Sequence, residues 1–338
     1  MTTRVAINGL GRIGRAILKL MIDKHTFELV AVNDLANADS LAYLLRLDTA
    51  YGRYARAVMV KEDSLIVDGP RIIALQRDKP ADHPWRNLGV DLVFQATGAF
   101  RLRKQLEDRI RAGARMVLLS APSDSGDVET IVHGANAPAE DATIISCASC
   151  TTNCITPVVE IVGQRTGIVK AVVTTVHAYT SCQAIVDGPH KQKRRGRAGA
   201  ANPVPAATAA ALTTMRGIPG CAGRFDGGAI RAPIVVGSIA DMTSVTARRT
   251  SIDEVNRILI EESESTRYRG VVGISHGPLV SSDIVGDARA SVVDLDLAKA
   301  TDGDLVKVIC WYDDERGDAN QMVGEAISLW RRAYEPAA

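Results

Sequence analysis

A cysteine and a histidine carry the most chemistry in this chain. Cys150, in Ser149-Cys150-Thr151-Thr152-Asn153-Cys154, lies 27 residues before His177, in Thr174-Thr175-Val176-His177-Ala178-Tyr179-Thr180. An imidazolium beside a thiol draws its pKa down from about 8.5, and the thiolate that results is the nucleophile. Alone, such a pair is more often core packing than catalysis. The start of the chain changes the balance. Val5-Ala6-Ile7-Asn8-Gly9-Leu10-Gly11-Arg12-Ile13-Gly14-Arg15 is a glycine fingerprint for a dinucleotide. A nucleotide-binding half followed by a thiolate half implies oxidation of an aldehyde through a cysteine.

The fingerprint needs a strand, a turn and a helix around it. Arg4–Asn8 reads as a short buried strand, and 12–20 as a helix with apolar positions at Ile13, Ile17, Leu18 and Leu20. Gly9 then permits the tight turn, Gly11 lets the backbone approach a pyrophosphate, and Gly14 lets helix and strand pack closely. The anion would rest on the helix N-terminus. A second strand, 28–32, ends in Asn33-Asp34, 20 residues after Gly14, where an acid holds the adenosine ribose. The alternative is that the glycines only shape a turn and Asp34 caps the following helix.

Further strands are expected at 64–67, 92–95 and 116–120, with a helix over 102–112. Alternating strands and helices imply an α/β fold with a mainly parallel sheet covered on both faces. Ala96-Thr97-Gly98 ends a strand, where ligands collect in such sheets, or is a plain turn. Ile144 and Ile145 form the last strand of this half and deliver Cys150 to the start of a helix from Thr151, where the helix dipole favours a thiolate.

From Gly167 the pattern turns β-rich: 168–176, 230–236, 239–247 and 305–311, with shorter strands at 275–279 and 290–295 and a helix over 252–262. No crossover pattern is visible, so this half reads as an antiparallel or mixed sheet covered by a few helices. Between the first two strands, the stretch 181–205 carries Lys191, Lys193, Arg194, Arg195 and Arg197. Such a cluster serves either phosphate recognition or a solvated subunit contact. Arg216–Gly220 reads as a turn, and 319–334 as an amphipathic helix.

The bulk numbers narrow the field. At 338 residues the chain accommodates two domains, and a net charge of +1 with 46% hydrophobic residues gives no bias toward nucleic acid or membrane. No apolar run approaches the roughly 20 residues of a membrane span, and a strand from residue 4 leaves no room for a signal peptide. Six cysteines do not suggest a secreted disulfide framework, so a cytoplasmic location is expected.

Taken together these motifs resemble the phosphorylating glyceraldehyde-3-phosphate dehydrogenase family nearly end to end. Leu119-Ser120-Ala121-Pro122, Asp187-Gly188-Pro189-His190-Lys191 and Trp311-Tyr312-Asp313 add to the cysteine, histidine and glycine motifs. The resemblance implies a Rossmann-type doubly wound parallel sheet over 1–150, joined by the C-terminal helix 319–334. It implies an α+β catalytic domain with a mixed or antiparallel sheet over 151–318, including the loop 181–205. NAD is the implied cofactor, with Asn8, Gly9, Gly11, Arg12, Ile13, Gly14, Asp34, Arg77, Thr97, Gly98, Ser120 and Asp314 around it. Cys150 and His177 are the implied catalytic pair, and no metal is expected. Thr180 and Arg231 match the site for the substrate's phosphate; Arg195, Thr208 and Ser149 match the site for the attacking inorganic phosphate, with Thr151 nearby. The partners implied are a phosphorylated aldehyde, inorganic phosphate and three further copies in a homotetramer.

The departures are as informative. Cys182 stands where relatives usually carry Asp or Thr, Ala232–Gly237 replaces a different stretch, Asp314 replaces an Asn that contacts the nicotinamide carboxamide, and Asp318 replaces a Tyr. Cys147 replaces an Asn, creating Cys147-x-x-Cys150. Three other readings therefore stand beside the first: a dehydrogenase of another phosphorylated aldehyde such as erythrose 4-phosphate, a redox-sensing protein using Cys147 and Cys150, and a metal cluster using Cys147, Cys150 and Cys154.

Overall fold

Strict alternation of buried residues organises the first half. In β1 (Arg4–Asn8), Val5 and Ile7 belong to one apolar cluster and Ala6 to another. Both faces of the strand are thus covered, as a parallel sheet requires. The computed structural model describes residues 3–208, 210–218 and 223–334. It divides into two units, one containing Met1–Ile131, Pro138–Ala148 and Ala319–Ala338, the other Val132–Ala137 and Ser149–Asp318.

In the first unit β1 is followed by α1 (Arg12–Lys24), β2 (Glu28–Asn33), α2 (Ala38–Arg46) and a small hairpin of β3 (Leu47–Asp48) with β4 (Gly52–Arg53). Then come β5 (Val58–Val60), β6 (Ser64–Val67), β7 (Arg71–Leu75), β8 (Leu92–Gln95), α3 (Arg103–Arg111), β9 (Met116–Leu119), β10 (Glu129–Thr130) and β11 (Ile144–Ser146). Apart from β3 and β4 these strands form one sheet in the order β10-β11-β9-β8-β1-β2-β7-β6-β5. It is parallel from β10 to β7 and finishes in an antiparallel β5-β6-β7 meander. Residues of α1, α2 and the C-terminal helix, among them Ile17, Leu41 and Met322, pack into the cluster that holds Val5 and Ile7. Leu106 of α3 packs with Val117 and Leu119 of β9.

The second unit begins with α4 (Cys150–Thr166), which starts one residue before the expected Thr151, and β12 (Ile168–Ala178). Next are β13 (Val204–Ala207), α5 (Ala210–Gly217), β14 (Phe225–Ala232), β15 (Ser238–Thr246), α6 (Ile252–Ser263), β16 (Val272–Ser275), β17 (Ser291–Thr301) and β18 (Leu305–Tyr312); α7 (Arg316–Tyr334) starts here and belongs to the first unit from Ala319. The sheet order is β13-β14-β12-β15-β18-β17-β16. It is mixed: β12 runs parallel to β14, and β16 parallel to β17, among antiparallel neighbours. α4 and α6 cover one face with Ile155, Val158, Ile161, Ile258 and Leu259.

Several boundaries differ from expectation. The strand expected at 230–236 runs from Phe225 to Ala232. Its Gly227-Gly228 pair breaks the apolar pattern because a Cβ on Gly227 would lie 2.4 Å from Val173 Cγ1 of the neighbouring strand. The strand expected at 275–279 is Val272–Ser275. The turn expected over 216–220 is helix through Gly217, and 219–220 lie outside the described residues.

Candidate active site

Three elements of the second unit bring the reactive groups together. Ser149 caps α4 in an extended conformation (φ −139°), its hydroxyl accepting from Thr152 N at 3.3 Å, so Cys150 is the first helical residue. Ala148, with φ +63°, makes the turn into the helix. Tyr312, ending β18, shares its hydroxyl with Thr151 Oγ1 at 2.9 Å and Thr175 Oγ1 at 2.7 Å. That buried phenol ties the first turn of α4 to β12. Parallel register then sets His177 of β12 opposite Arg231 of β14. The result is Cys150 Sγ 3.5 Å from His177 Nε2.

The opposite ring nitrogen is crowded. Arg231 Nη1 lies 2.7 Å from His177 Nδ1, the Ala178 carbonyl 2.8 Å and Asp314 Oδ1 3.2 Å. Guanidinium nitrogens only donate, whereas the Ala178 carbonyl and the Asp314 carboxylate only accept, so Nδ1 satisfies Arg231 when bare and the two oxygens when protonated. Arg231 also donates to the Ala178 carbonyl at 2.9 Å. Asp314 is 3% exposed and accepts from Gly237 N at 3.1 Å and from Ser238 Oγ at 2.5 Å. Its expected place was the nicotinamide carboxamide. In the structure its two oxygens accept from the backbone and hydroxyl behind His177, an arrangement available to a carboxylate because it has only acceptor sites.

The electrostatics correct the expectation of a readily formed thiolate. Withdrawal from water pushes the Cys150 thiol well up, and Asp314, Asp318 and Glu315 push the same way; Arg231 opposes them. Asp318 itself is raised to about 7, chiefly by burial, although Asn153 Nδ2 donates to it at 2.7 Å.

Other expected phosphate residues fall into separate groups. Arg195 Nη1 donates to Cys182 Sγ at 2.6 Å, and Thr180 Oγ1 meets the same sulfur at 2.9 Å. Thr208 accepts from Ala210 N at the start of α5, and Thr151 is 3% exposed with its hydroxyl turned to Tyr312. Cys147 sits in the first unit's apolar cluster and Cys154 in the second unit's. Asp314 and Ser238 had no sequence signal marking them as neighbours of His177; only the β15–β18 pairing, Ser238 against Tyr312, brings them there.

The first unit holds a cavity of about 360 Å³ at the carboxyl ends of its strands. Asn8, Gly9, Gly11, Asp34, Arg77 and Thr97 line it, joined by Leu35, His83 and Phe100, which the sequence did not single out. Arg12, Ile13, Gly14, Gly98 and Ser120 are not among its walls. The glycines behave as the dinucleotide mechanism demands. A Cβ on Gly9, at φ +96°, would lie 2.6 Å from Thr97 N, and one on Gly14 1.9 Å from Gly9 O. Gly11 faces open space and is followed by a helix with no side-chain cap. Asp34 does not cap α2, since Asn37 does so; it accepts instead from Leu10 N at 2.7 Å and Ala36 N at 3.1 Å. These residues fit NAD.

Comparisons with known proteins agree with both halves. Residues 3–103 match the family model described as glyceraldehyde 3-phosphate dehydrogenase, NAD binding domain, and residues 149–314 match its C-terminal domain. The chain is 42% identical over 327 residues to a glyceraldehyde-3-phosphate dehydrogenase of Streptomyces coelicolor, covering 96% of this chain and 97% of the relative. It is 42% identical over 324 residues to one of Thermotoga maritima, covering 95% and 97%. No helix among the described residues is long and apolar enough to cross a membrane. With both domain models matched and this identity held from end to end, the chain belongs to the glyceraldehyde-3-phosphate dehydrogenase family.

Proposed function

We propose that the chain oxidises glyceraldehyde 3-phosphate with NAD and inorganic phosphate, giving 1,3-bisphosphoglycerate through a thioester on Cys150. The observation that carries this is the 3.5 Å approach of Cys150 Sγ to His177 Nε2 at the start of α4. His177 takes the thiol proton as sulfur attacks the aldehyde carbon, giving a thiohemiacetal. The Cys150 N–H at the helix start and the imidazolium face the oxygen on which charge develops. His177 next receives the hydroxyl proton while NAD, when bound, supplies the hydride acceptor. Phosphate oxygen then displaces the thiolate, which regains its proton.

For this, His177 must present a lone pair at Nε2, and its contacts suggest how. A substrate phosphate draws Arg231 toward itself. Nδ1 then carries the proton toward the Ala178 carbonyl and Asp314, at 2.8 and 3.2 Å, leaving Nε2 free to act as base. Thr180 and Arg195, gathered around Cys182, are assigned to phosphate binding with Ser149 and Thr208, and Asn8, Gly9, Gly11, Arg12, Ile13, Gly14, Asp34, Arg77, Thr97, Gly98 and Ser120 to NAD. Domain limits near 150 and 318, a cytoplasmic location and a homotetramer complete the reading. The exposed Val169, Val172, Ile230, Leu297 and Leu305 on the second unit's sheet support assembly.

NADH formation followed by absorbance, with and without phosphate, tests the function. Rapid turnover of glyceraldehyde 3-phosphate that requires phosphate is expected; a preference for erythrose 4-phosphate would reassign the substrate, and no turnover of either would refute it. Burial of Cys147 among apolar residues favours packing over redox sensing.

A further inference from the structure

Two departures from the family, Asp314 and the stretch that ends in Gly237, meet behind His177. Counting protons fixes the state of the acid. Ala178 N donates to Ser238 Oγ at 3.0 Å, so the single hydroxyl proton of Ser238 is directed to Asp314 Oδ1, 2.5 Å away. Oδ2 accepts from Gly237 N at 3.1 Å. Both oxygens act as acceptors, which is the pattern of a carboxylate. Gly237 makes this possible. Its φ is +89°, and a Cβ there would lie 2.1 Å from the Ser281 carbonyl oxygen. Only glycine turns its amide to Asp314 beside that carbonyl, so the altered loop and the altered acid form one arrangement.

The charge held there is 3% exposed, and Oδ1 lies 3.2 Å from His177 Nδ1. Across the ring, Nε2 faces Cys150 Sγ at 3.5 Å. A buried carboxylate this close favours the imidazolium over the neutral ring, and the low dielectric around it strengthens the effect. The other groups facing the ring are Cys150 from α4, Arg231 from β14 and Tyr312 from β18, while β15 contributes the uncharged Ser238. Burial pushes the Tyr312 phenol well up, so it stays neutral. Next to burial, Asp314 also pushes the free Cys150 thiol up, a cost that applies only while the sulfur is unbonded.

We propose that Asp314 is a positioning residue for His177, holding the imidazolium that forms when Nε2 takes the hydroxyl proton of the thiohemiacetal. The assignment rests on the reading of His177 as the base. In that step the O–H bond breaks and its electron pair closes the carbonyl, as hydride leaves the same carbon for the nicotinamide. The sulfur is by then bonded to carbon and uncharged, so Asp314 acts on the imidazolium alone. Residue 314 thereby serves the base rather than the nicotinamide carboxamide, because its oxygens are already taken by Gly237 and Ser238.

Carbon-13 NMR of histidine-labelled Cys150→Ser protein, titrated with pH with and without Asp314→Asn, tests this directly; the His177 signal is the one missing from His177→Asn. Loss of the carboxylate is expected to lower the His177 midpoint by about one to two pH units. With Cys150 in place, Asp314→Asn is expected to form NADH in the first turnover about three- to tenfold more slowly, since a weaker base takes the proton less readily. NAD affinity is expected to be unchanged. A midpoint does not depend on how much of the variant folds, so a poor yield leaves the test intact. A midpoint that moves by less than about half a pH unit overturns the assignment. So does a variant that keeps its rate and binds NAD more tightly, as it would if residue 314 held the carboxamide. A parent without turnover refutes the dehydrogenase reading by itself, while the midpoint still decides whether Asp314 holds the imidazolium.

Discussion

Asp318→Asn isolates a buried carboxyl that burdens both stability and catalysis. Asp318 is 5% exposed and its carboxyl is held at about 7 against an ordinary 3.8. At 1.36 kcal/mol per pH unit that difference corresponds to about 4 kcal/mol, an upper figure because buried groups relax and admit water. Between pH 4 and 7 the folded protein binds the proton more tightly than the unfolded chain does. This group's contribution to stability therefore falls as pH rises through that window and is flat above it. The asparagine keeps an acceptor for Asn153 Nδ2 and cannot ionise. Urea unfolding of parent and variant at pH 5 and pH 8 is expected to show the variant's advantage in stability growing by about 1–3 kcal/mol from pH 5 to pH 8. The same substitution removes a negative charge that holds the Cys150 thiol up, so alkylation by iodoacetamide at pH 8 is expected to quicken. Parallel pH profiles of stability in the two proteins would refute the buried-acid argument.

Three further outcomes follow from the site. Cys150→Ser is expected to abolish aldehyde oxidation while NAD still binds by fluorescence titration; a serine variant retaining more than a few per cent of the rate would remove the thioester. Arg231→Ala is expected to lower kcat/KM for glyceraldehyde 3-phosphate about a hundredfold, the upper range for one charge-assisted phosphate contact. Unphosphorylated glyceraldehyde should lose less, through the lost donor on His177 Nδ1 alone; equal losses would make Arg231 only a support for His177. NAD is expected to surpass NADP at least tenfold in kcat/KM, since a 2′-phosphate would meet the Asp34 carboxylate and a like-charge contact costs roughly 1–4 kcal/mol; comparable values would take Asp34 off the ribose.

What the sequence determined by itself lies where local chemistry dictates local geometry. Gly9, Gly11 and Gly14 announce a turn that only residues without a side chain can make, and the Cβ clashes at Gly9 and Gly14 are the physical form of that rule. Strands buried on both faces, such as Leu92–Gln95, read as apolar runs bounded by turns. The cysteine motif placed a nucleophile at a helix start because Ser149 is a good cap and Pro157 is tolerated further along. Tertiary structure alone decided what surrounds His177. Arg231 is 54 residues away along the chain and meets it through parallel register across β12 and β14. That pairing was hidden because the connection between the strands holds β13 and α5 within a long loop rather than one clean crossover helix. Asp314 and Asp318 reach the thiol's surroundings only because β18 ends beside β15 and α7 starts there. Their effect reverses the simple forecast of a low thiol pKa, since burial and like charge depend on which groups share a low-dielectric space, and sequence spacing does not encode that.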